Sequence, residues 1–466
     1  MHLPENILWA LWEFSSLKKI INYKNNRIEI IHRGKYTGNH GGPDYSDVSV
    51  KINGTLLNGS IEIDAEQSGW ISHGHCSDQS FLPCVLHIHG SQSGSDTVSL
   101  SNEKQILSLP IDIILSESMQ TALSGLISEG NLPRDTTLVC SGNLHRITTE
   151  ISKKVLYELA IQRFQKKCRR FSDLYYNSAQ NVNLLYSLTS DAEYIWKYTI
   201  SSMIFRAMGY SANSGLMEDL FSLINPHFFT DYSKNPNFPE YLEAYVWELT
   251  GLLPELSEVE ESEAISYLRN LKERWEEVKL YLNASRISRY QWKTRSLRPN
   301  ASVYLRIYTA VKIVAVLWQD GFTALFHYED TQTDIKDYQN RLAEIIRTDA
   351  GNFWSQHSSF TKKTPGRIHT LPGESRIQEI LINVLLPGLY AYYSSTDNTR
   401  MTEICRNIYL EMKIPKYPGS IARILNELLH GEKTGTAVYY QGAVELSNEY
   451  CRKGKCEECK IGGLVF

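Results

Sequence analysis

The sequence predicts an α+β protein: a helix and a mixed, mostly antiparallel sheet at the N-terminus, a large mostly helical domain, and a cysteine-containing tail. Three observations predict it. Short runs of alternating β-branched residues dominate before about residue 112, and apolar residues recur at three- and four-residue steps after it. Three of the eight cysteines then crowd the last sixteen residues. The domain boundaries read as 1–113, 114–440 and 441–466.

The first helix is predicted over about 4–17. Strand-like runs follow at 27–34 (RIEIIHRG), 46–52 (SDVSVKI), 60–65 (SIEIDA), 84–90 (CVLHIHG) and 105–113 (QILSLPIDI). Gly, Asn, Ser and Asp punctuate them, as hairpin connections require. Helical periodicity predicts helices over 149–171, 192–210, 263–282 and 303–318. The segments 235–240 (NPNFPE) and 361–374 (TKKTPGRIHTLPGE) read as loops or linkers. The helical segments share no fixed period, so no solenoid is predicted.

At 466 residues the chain has room for two or three domains. Apolar content of 42% and charged content of 21% are ordinary for a globular protein, and 28 Tyr with 9 Trp argue against long disordered regions. A net charge of −4 gives no global attraction to polyanions, so any nucleic-acid surface must be local. The N-terminal stretch has neither a basic leader nor a cleavage site, and 311–318 (VKIVAVLW) is too short to span a bilayer. Scattered cysteines suit a reducing compartment. A soluble, cytoplasmic protein with no membrane partner is expected.

The stretch GGPDYSDVSVKINGTLLNGSIEID (41–64) carries acids where its two strands begin and end, at Asp44, Glu62 and Asp64. Two carboxylates on adjacent strands are a minimal clamp for Mg²⁺ or Mn²⁺, and a metal-bound water is a nucleophile for phosphodiester hydrolysis. Strand parity sets a condition. With a two-residue turn at Asn53-Gly54, Val48, Val50 and Ile52 share a face with Ile61 and Ile63, and Asp44 falls opposite Glu62 and Asp64. Only a one-residue bulge between Asp44 and Val48 brings Asp44 round; without it Asp47 is the acid on that face. Solvated acids on the wet side of a hairpin are the plain alternative. Glu5 or Glu13 of the first helix could add a third acid.

Four further patterns bear on chemistry. His73, His75 and Asp78 precede a strand on which His87 and His89 share a face, a density that suggests a transition-metal site or a proton-transfer role for His73 or His75, although loop histidines commonly cap turns. Cys451, Cys456 and Cys459 follow C-x4-C-x2-C, spacing suited to zinc or an iron–sulfur cluster. The fourth ligand could be Cys405, Cys140, Cys168 or His430, and Lys453, Lys455 and Lys460 would favour an anion nearby. From Val278 to Gln319 there is no acid, whereas Arg289, Lys293, Arg295 and Arg298 stand among Tyr290, Trp292, Tyr304 and Tyr308, as in a phosphate-gripping, base-stacking surface. A second basic run, 162–170 (QRFQKKCRR), falls at a predicted helix C-terminus, where cations are favoured anyway. No Walker or Rossmann phosphate loop and no Gly-x-Ser-x-Gly elbow is present.

The order helix, strand, Pro-Asp strand, Glu-x-polar strand resembles the core of the PD-(D/E)xK, or restriction-endonuclease-like, nucleases. In those a Lys normally follows the acid by two positions; here Asp64 stands there. Stretches such as IEIIHRGKYTGNHGGPDYSDVSVKINGTLLNGSIEI, GWISHGHCSDQSF, WKTRSLRPNASVYLRI, INVLLPGLYAY and NEYCRKGKCEECKIG resemble an uncharacterised bacterial domain-of-unknown-function family over essentially the whole chain. That resemblance implies attention to Gly42-Pro43-Asp44, Glu62, Trp70, His73, His75, Asp78, Arg298-Pro299 and the tail cysteines, and a His two positions after the Glu where this chain has Asp64.

Together these features read as a nucleic-acid-binding protein that cuts its substrate with Mg²⁺ or Mn²⁺, Asp44 and Glu62 holding the metal and Asp64, His73 and His75 completing the site. A nuclease-fold scaffold without activity, and a histidine-rich transition-metal hydrolase, are the alternatives.

Overall fold

Four antiparallel strands follow α1 (Glu5–Phe14): β1 (Ile21–Tyr23), β2 (Asn26–Tyr36), β3 (Tyr45–Ile52) and β4 (Thr55–Asp64). The structure, a computed structural model, describes residues 3, 5–37, 42–90, 95–128, 138, 140–186, 191–281, 285–292, 302–328, 335–414, 419–451, 453 and 455–465. After a short helix, α2 (Gly69–Ser72), the strand β5 (Cys84–His89) pairs parallel to β4. β6 (Thr97–Ser99) and β7 (Gln105–Pro110) complete a mixed seven-stranded sheet in the order β1-β2-β3-β4-β5-β7-β6. The expected α+β class is what the chain adopts.

The turn is as expected. Ile52 pairs with Thr55, and Asn53 and Gly54 both take positive φ, the backbone a primed two-residue turn needs. Val48, Val50, Ile61 and Ile63 are buried against Leu8, Leu11 and Trp12 of α1 and against Leu86 and Ile88 of β5. Each such side chain contributes about 1.5–3 kcal/mol when fully buried.

The bulge that parity demanded is present. Tyr45 pairs with Ile61 but Val48 pairs with Gly59, so three steps on β3 oppose two on β4. Asp47 absorbs the extra residue at φ +59°. Gly34 on β2, at φ +81°, lies against the bulge; a Cβ there would sit 2.3 Å from the Ser46 carbonyl oxygen.

The chain forms two units, 1–163 with 413–466, and 164–412. These divisions differ from those read in the sequence. The C-terminal segment belongs to the first unit because the apolar faces of Gly419–Leu428 and Ala437–Leu446 pack with Leu144, Leu156 and Leu159 from the early chain.

Phe164–Met412 is mainly helical, with Ala192–Met208, Ser262–Val278 and Val303–Val316 close to their predicted bounds; Phe238–Thr250 is a further helix whose first turn takes in part of the segment read as a loop at 235–240. The helix predicted to stop at 171 instead continues, spanning Thr149–Tyr186, so the basic run 162–170 lies mid-helix and not at a C-terminus. The segment read as a loop at 361–374 carries two short strands, Lys362–Lys363 and Thr370–Leu371. The helical stretch Val303–Phe326 is long and apolar enough to cross a membrane by length and composition, but 67% of its most apolar window is buried in the protein.

Candidate metal centre

The bulge carries Asp44 to the start of β3 beside Glu62. The Asp44 main-chain N–H donates to Glu62 Oε2 (2.9 Å), while its own Oδ2 accepts from the Ile63 N–H (3.0 Å) and from Trp9 Nε1 of α1 (2.9 Å). Asp44, Glu62 and Asp64 are all buried, at 4%, 7% and 1% exposure. Burial, and then the charge of Glu62, push the Asp44 carboxyl up to about 7 against the pull of its Trp9 and Ile63 hydrogen bonds.

Asp64, at the position where the nuclease pattern has Lys, is the hub. Its Oδ1 lies 2.9 Å from His73 Nδ1 and its Oδ2 lies 3.2 Å from His87 Nε2. His87 is fully buried, with its Nδ1 2.8 Å from Ser108 Oγ, and Ser108 Oγ accepts from Gln67 Nε2 (2.8 Å). The parallel pairing of β4 with β5 sets Glu62 opposite His87 and Asp64 opposite His89. Burial alone would raise Asp64; the neighbouring imidazoles of His75 and His87 overcome it and hold the carboxyl well below the usual range.

His75 completes the group. Its ring stacks on Phe81 (4.2 Å) and meets the edge of Trp70 (5.6 Å). Its Nε2 lies 3.0 Å from Glu62 Oε1 and 3.8 Å from Asp64 Oδ1. These are close approaches without hydrogen-bond alignment, so a buried ring nitrogen faces two carboxylates and is hydrogen-bonded to neither. Burial would lower the imidazole, but Asp64 and Glu62 win and push it up to about 9. Ligand atoms of Asp64, His73 and His75 all lie within 4.8 Å of one another.

The absence of a side chain at Gly69 makes this possible. A Cβ there would fall 2.6 Å from both Cγ and Oδ1 of Asp64, so only glycine lets the first residue of α2 lie against that carboxylate.

Other candidates fall elsewhere. Asp47 is exposed and pairs with Lys35 (3.3 Å). Asp78 caps the turn at Gln79–Phe81 through the Ser80 N–H (2.8 Å). From α1, the side chain that meets the acids is Trp9, one turn after Glu5, a contact that acid-seeking sequence logic missed. Glu261, Glu263 and His357 form a second group of close ligand atoms, where Glu261 already meets His357 (3.0 Å) and Lys363 (2.7 Å).

A family model described as "Protein of unknown function (DUF2851)" matches residues 5–416. The chain belongs to this family. No curated protein and no solved structure matches it. In this DUF2851 chain the match takes in the whole sheet and its acids, and Cys451, Cys456 and Cys459 lie beyond its end.

Of the basic stretch, Arg289 and Tyr290 are exposed, Tyr290 at 92%, while Lys293, Arg295 and Arg298 lie outside the described residues. Trp292 and Tyr308 are core residues, Trp292 donating to the Thr250 carbonyl (2.9 Å), so neither offers a stacking face. In the tail, Lys453, Lys455 and Lys460 each pair with a carboxylate, of Glu449, Glu458 and Glu158 respectively.

Proposed function

We propose that the first unit is a divalent-metal-dependent phosphodiesterase acting on nucleic acid, its cation held by Glu62, Asp64, His73 and His75 with Asp44 behind Glu62. One observation carries the reading: His75 Nε2, buried and without a hydrogen bond, faces Glu62 and Asp64. A buried polar atom in that position is costly unless something partners it. A cation would partner it and offset the mutual repulsion of the acids.

The donor set of imidazole and carboxylate suits Mn²⁺ better than Mg²⁺, which prefers oxygen alone. Such a cation supplies Lewis acidity and lowers the pKa of a bound water. The protein's own groups do the rest. Ser108 and His87 fix the orientation of Asp64, as outer partners of a metal ligand do. His73, half exposed, is the member of the group that opens the site to solvent. The nucleic-acid substrate is supported by the element order, α1, β2, Pro43-Asp44 leading β3, then Glu62-x-Asp64 on β4, which is that of the PD-(D/E)xK resemblance.

Incubating the protein with Mn²⁺ and labelled single-stranded DNA, duplex DNA or RNA tests this. Cleavage by wild type, lost in Glu62→Ala with binding retained, is the expected result. A second reading rests on His75 itself. Held up to about 9, it is an imidazolium at neutral pH and a counter-ion for both acids, as a non-catalytic binding protein would need. No cleavage by wild type in Mn²⁺ or Mg²⁺ favours that reading and overturns the first.

A further inference from the structure

Four cysteines of the first unit come together from two stretches of chain that all of the second unit separates in sequence. Cys140 starts the turn Ser141–Arg146, and Cys451 ends the helical turn Ser447–Cys451. Cys456 and Cys459 lie in the loop between that turn and the last helix, Gly462–Val465. Cys140, Cys451 and Cys459 pack into one apolar cluster with Leu138, Leu144 and Ile461. Arg146 Nη1 donates to the Val465 carbonyl (3.2 Å), tying the turn after Cys140 to the helix after Cys459.

The loop is built to bring its own two sulfurs together. Cys459 N–H donates to the Cys456 carbonyl (3.2 Å), and the Gly463 N–H donates to the Cys459 carbonyl (2.8 Å). Gly462 presses against the Cys456 carbonyl, where a Cβ would come within 2.0 Å of the oxygen.

The other proposed partners are engaged elsewhere. His430 rests its Nε2 on the Ile147 carbonyl (3.1 Å), and Cys168 and Cys405 are buried in the second unit. No disulfide forms among the described cysteines.

We infer that Cys140, Cys451, Cys456 and Cys459 together hold a [4Fe–4S] cluster that staples the two stretches of the first unit.

The spacing of the sulfurs supports a cluster over a single zinc ion. All four donors are thiols, a ligand set that iron–sulfur clusters and structural zinc share. Cys140, Cys456 and Cys459 are each close enough to Cys451 for their charges to be felt there. Yet among the described residues they do not form a group of ligand atoms all within 4.8 Å. Tetrahedral zinc, with Zn–S bonds of about 2.3 Å, needs its sulfurs closer than that. A cubane binds each thiolate at a different iron and so takes sulfurs spaced farther apart. The half-buried Arg33 lies near Cys456 and offers a positive charge to an anionic, thiolate-held cluster.

The test is iron and acid-labile sulfide analysis of the full chain, expressed with iron and purified without oxygen, beside its visible spectrum. About four irons and about four sulfides per chain, with the broad visible absorption of a cluster, are expected. Cys140→Ser and Cys456→Ser should each lose most of the iron, and Cys76→Ser none. The wild-type content decides the matter even if a variant fails to fold. A stoichiometric zinc ion without iron, or no bound metal, overturns the cluster; full iron retained in Cys140→Ser overturns its place as fourth ligand.

Discussion

Glu62 Oε2 accepts a hydrogen bond from the Asp44 main-chain N–H (2.9 Å), which ties the acid at the head of one strand to the acid on the next. The contact exists because the bulge adds one residue to β3 between Tyr45 and Val48. The bulge in turn needs Gly34, whose missing side chain leaves room for Ser46 and Val48. Gly34→Ala is therefore expected to cost about 1–3 kcal/mol through positive φ alone, with the clash adding to it. A lower urea midpoint at unchanged m-value would match; an unchanged midpoint would count against the bulge.

Trp9→Phe keeps the aromatic bulk and removes the indole N–H that Asp44 Oδ2 accepts. Losing a hydrogen bond to a charged group costs about 1.5–3 kcal/mol, so a clear fall in unfolding free energy is expected at pH well above 7, where Asp44 is ionised. Chemical denaturation with tryptophan-independent detection, such as circular dichroism, reads it.

Gly69→Ala tests the seat of Asp64. The added methyl group has no room beside that carboxylate, so the acid must turn away from His73 and His75. Mn²⁺ affinity should drop by at least about tenfold, the scale seen when partners of metal ligands are disturbed. The sheet should still melt cooperatively, because Ile61 and Ile63 face the other way into the core.

The second unit supplies a pH test of its own. Glu243 is buried, and its Oε1 accepts from Trp247 Nε1 (3.3 Å), Trp354 Nε1 (3.3 Å) and the Tyr267 hydroxyl. Burial outweighs those three donors and holds the carboxyl above its usual range. Between the ordinary and the raised value the native state keeps a proton that the unfolded chain has lost, so this group's contribution to stability declines as pH rises through that window. Glu243→Gln keeps the acceptor and cannot ionise. Its advantage over wild type should grow with pH by about 1.4 kcal/mol for each unit of elevation, then level off. Denaturant titrations across pH 4–9 measure this; parallel curves would show that Glu243 is not held up.

How much of this was legible in the sequence follows from locality. The Asn53-Gly54 turn, the shared face of Val48, Val50, Ile61 and Ile63, and the need for a bulge ahead of Val48 are consequences of a two-residue period, and all three are present. The reach of Trp9 to Asp44 and the setting of His87 beside Glu62 depend on helix docking and parallel pairing, which no local pattern encodes. Asp64 looked like a missing lysine because its value lies in the histidines that the α2 turn brings to it. Trp292 and Tyr308 looked like stacking faces because an aromatic among basic residues reads the same whether it points out or in.

The central claim is that Glu62, Asp64, His73 and His75 bind a divalent cation. Electron paramagnetic resonance of free Mn²⁺, titrated with wild-type protein and with Asp64→Asn and His75→Ala variants, tests it most directly. The account predicts that wild type removes a single Mn²⁺ per chain from the free signal and that both variants leave it in solution. Equal binding by all three proteins, or none by wild type, would contradict it.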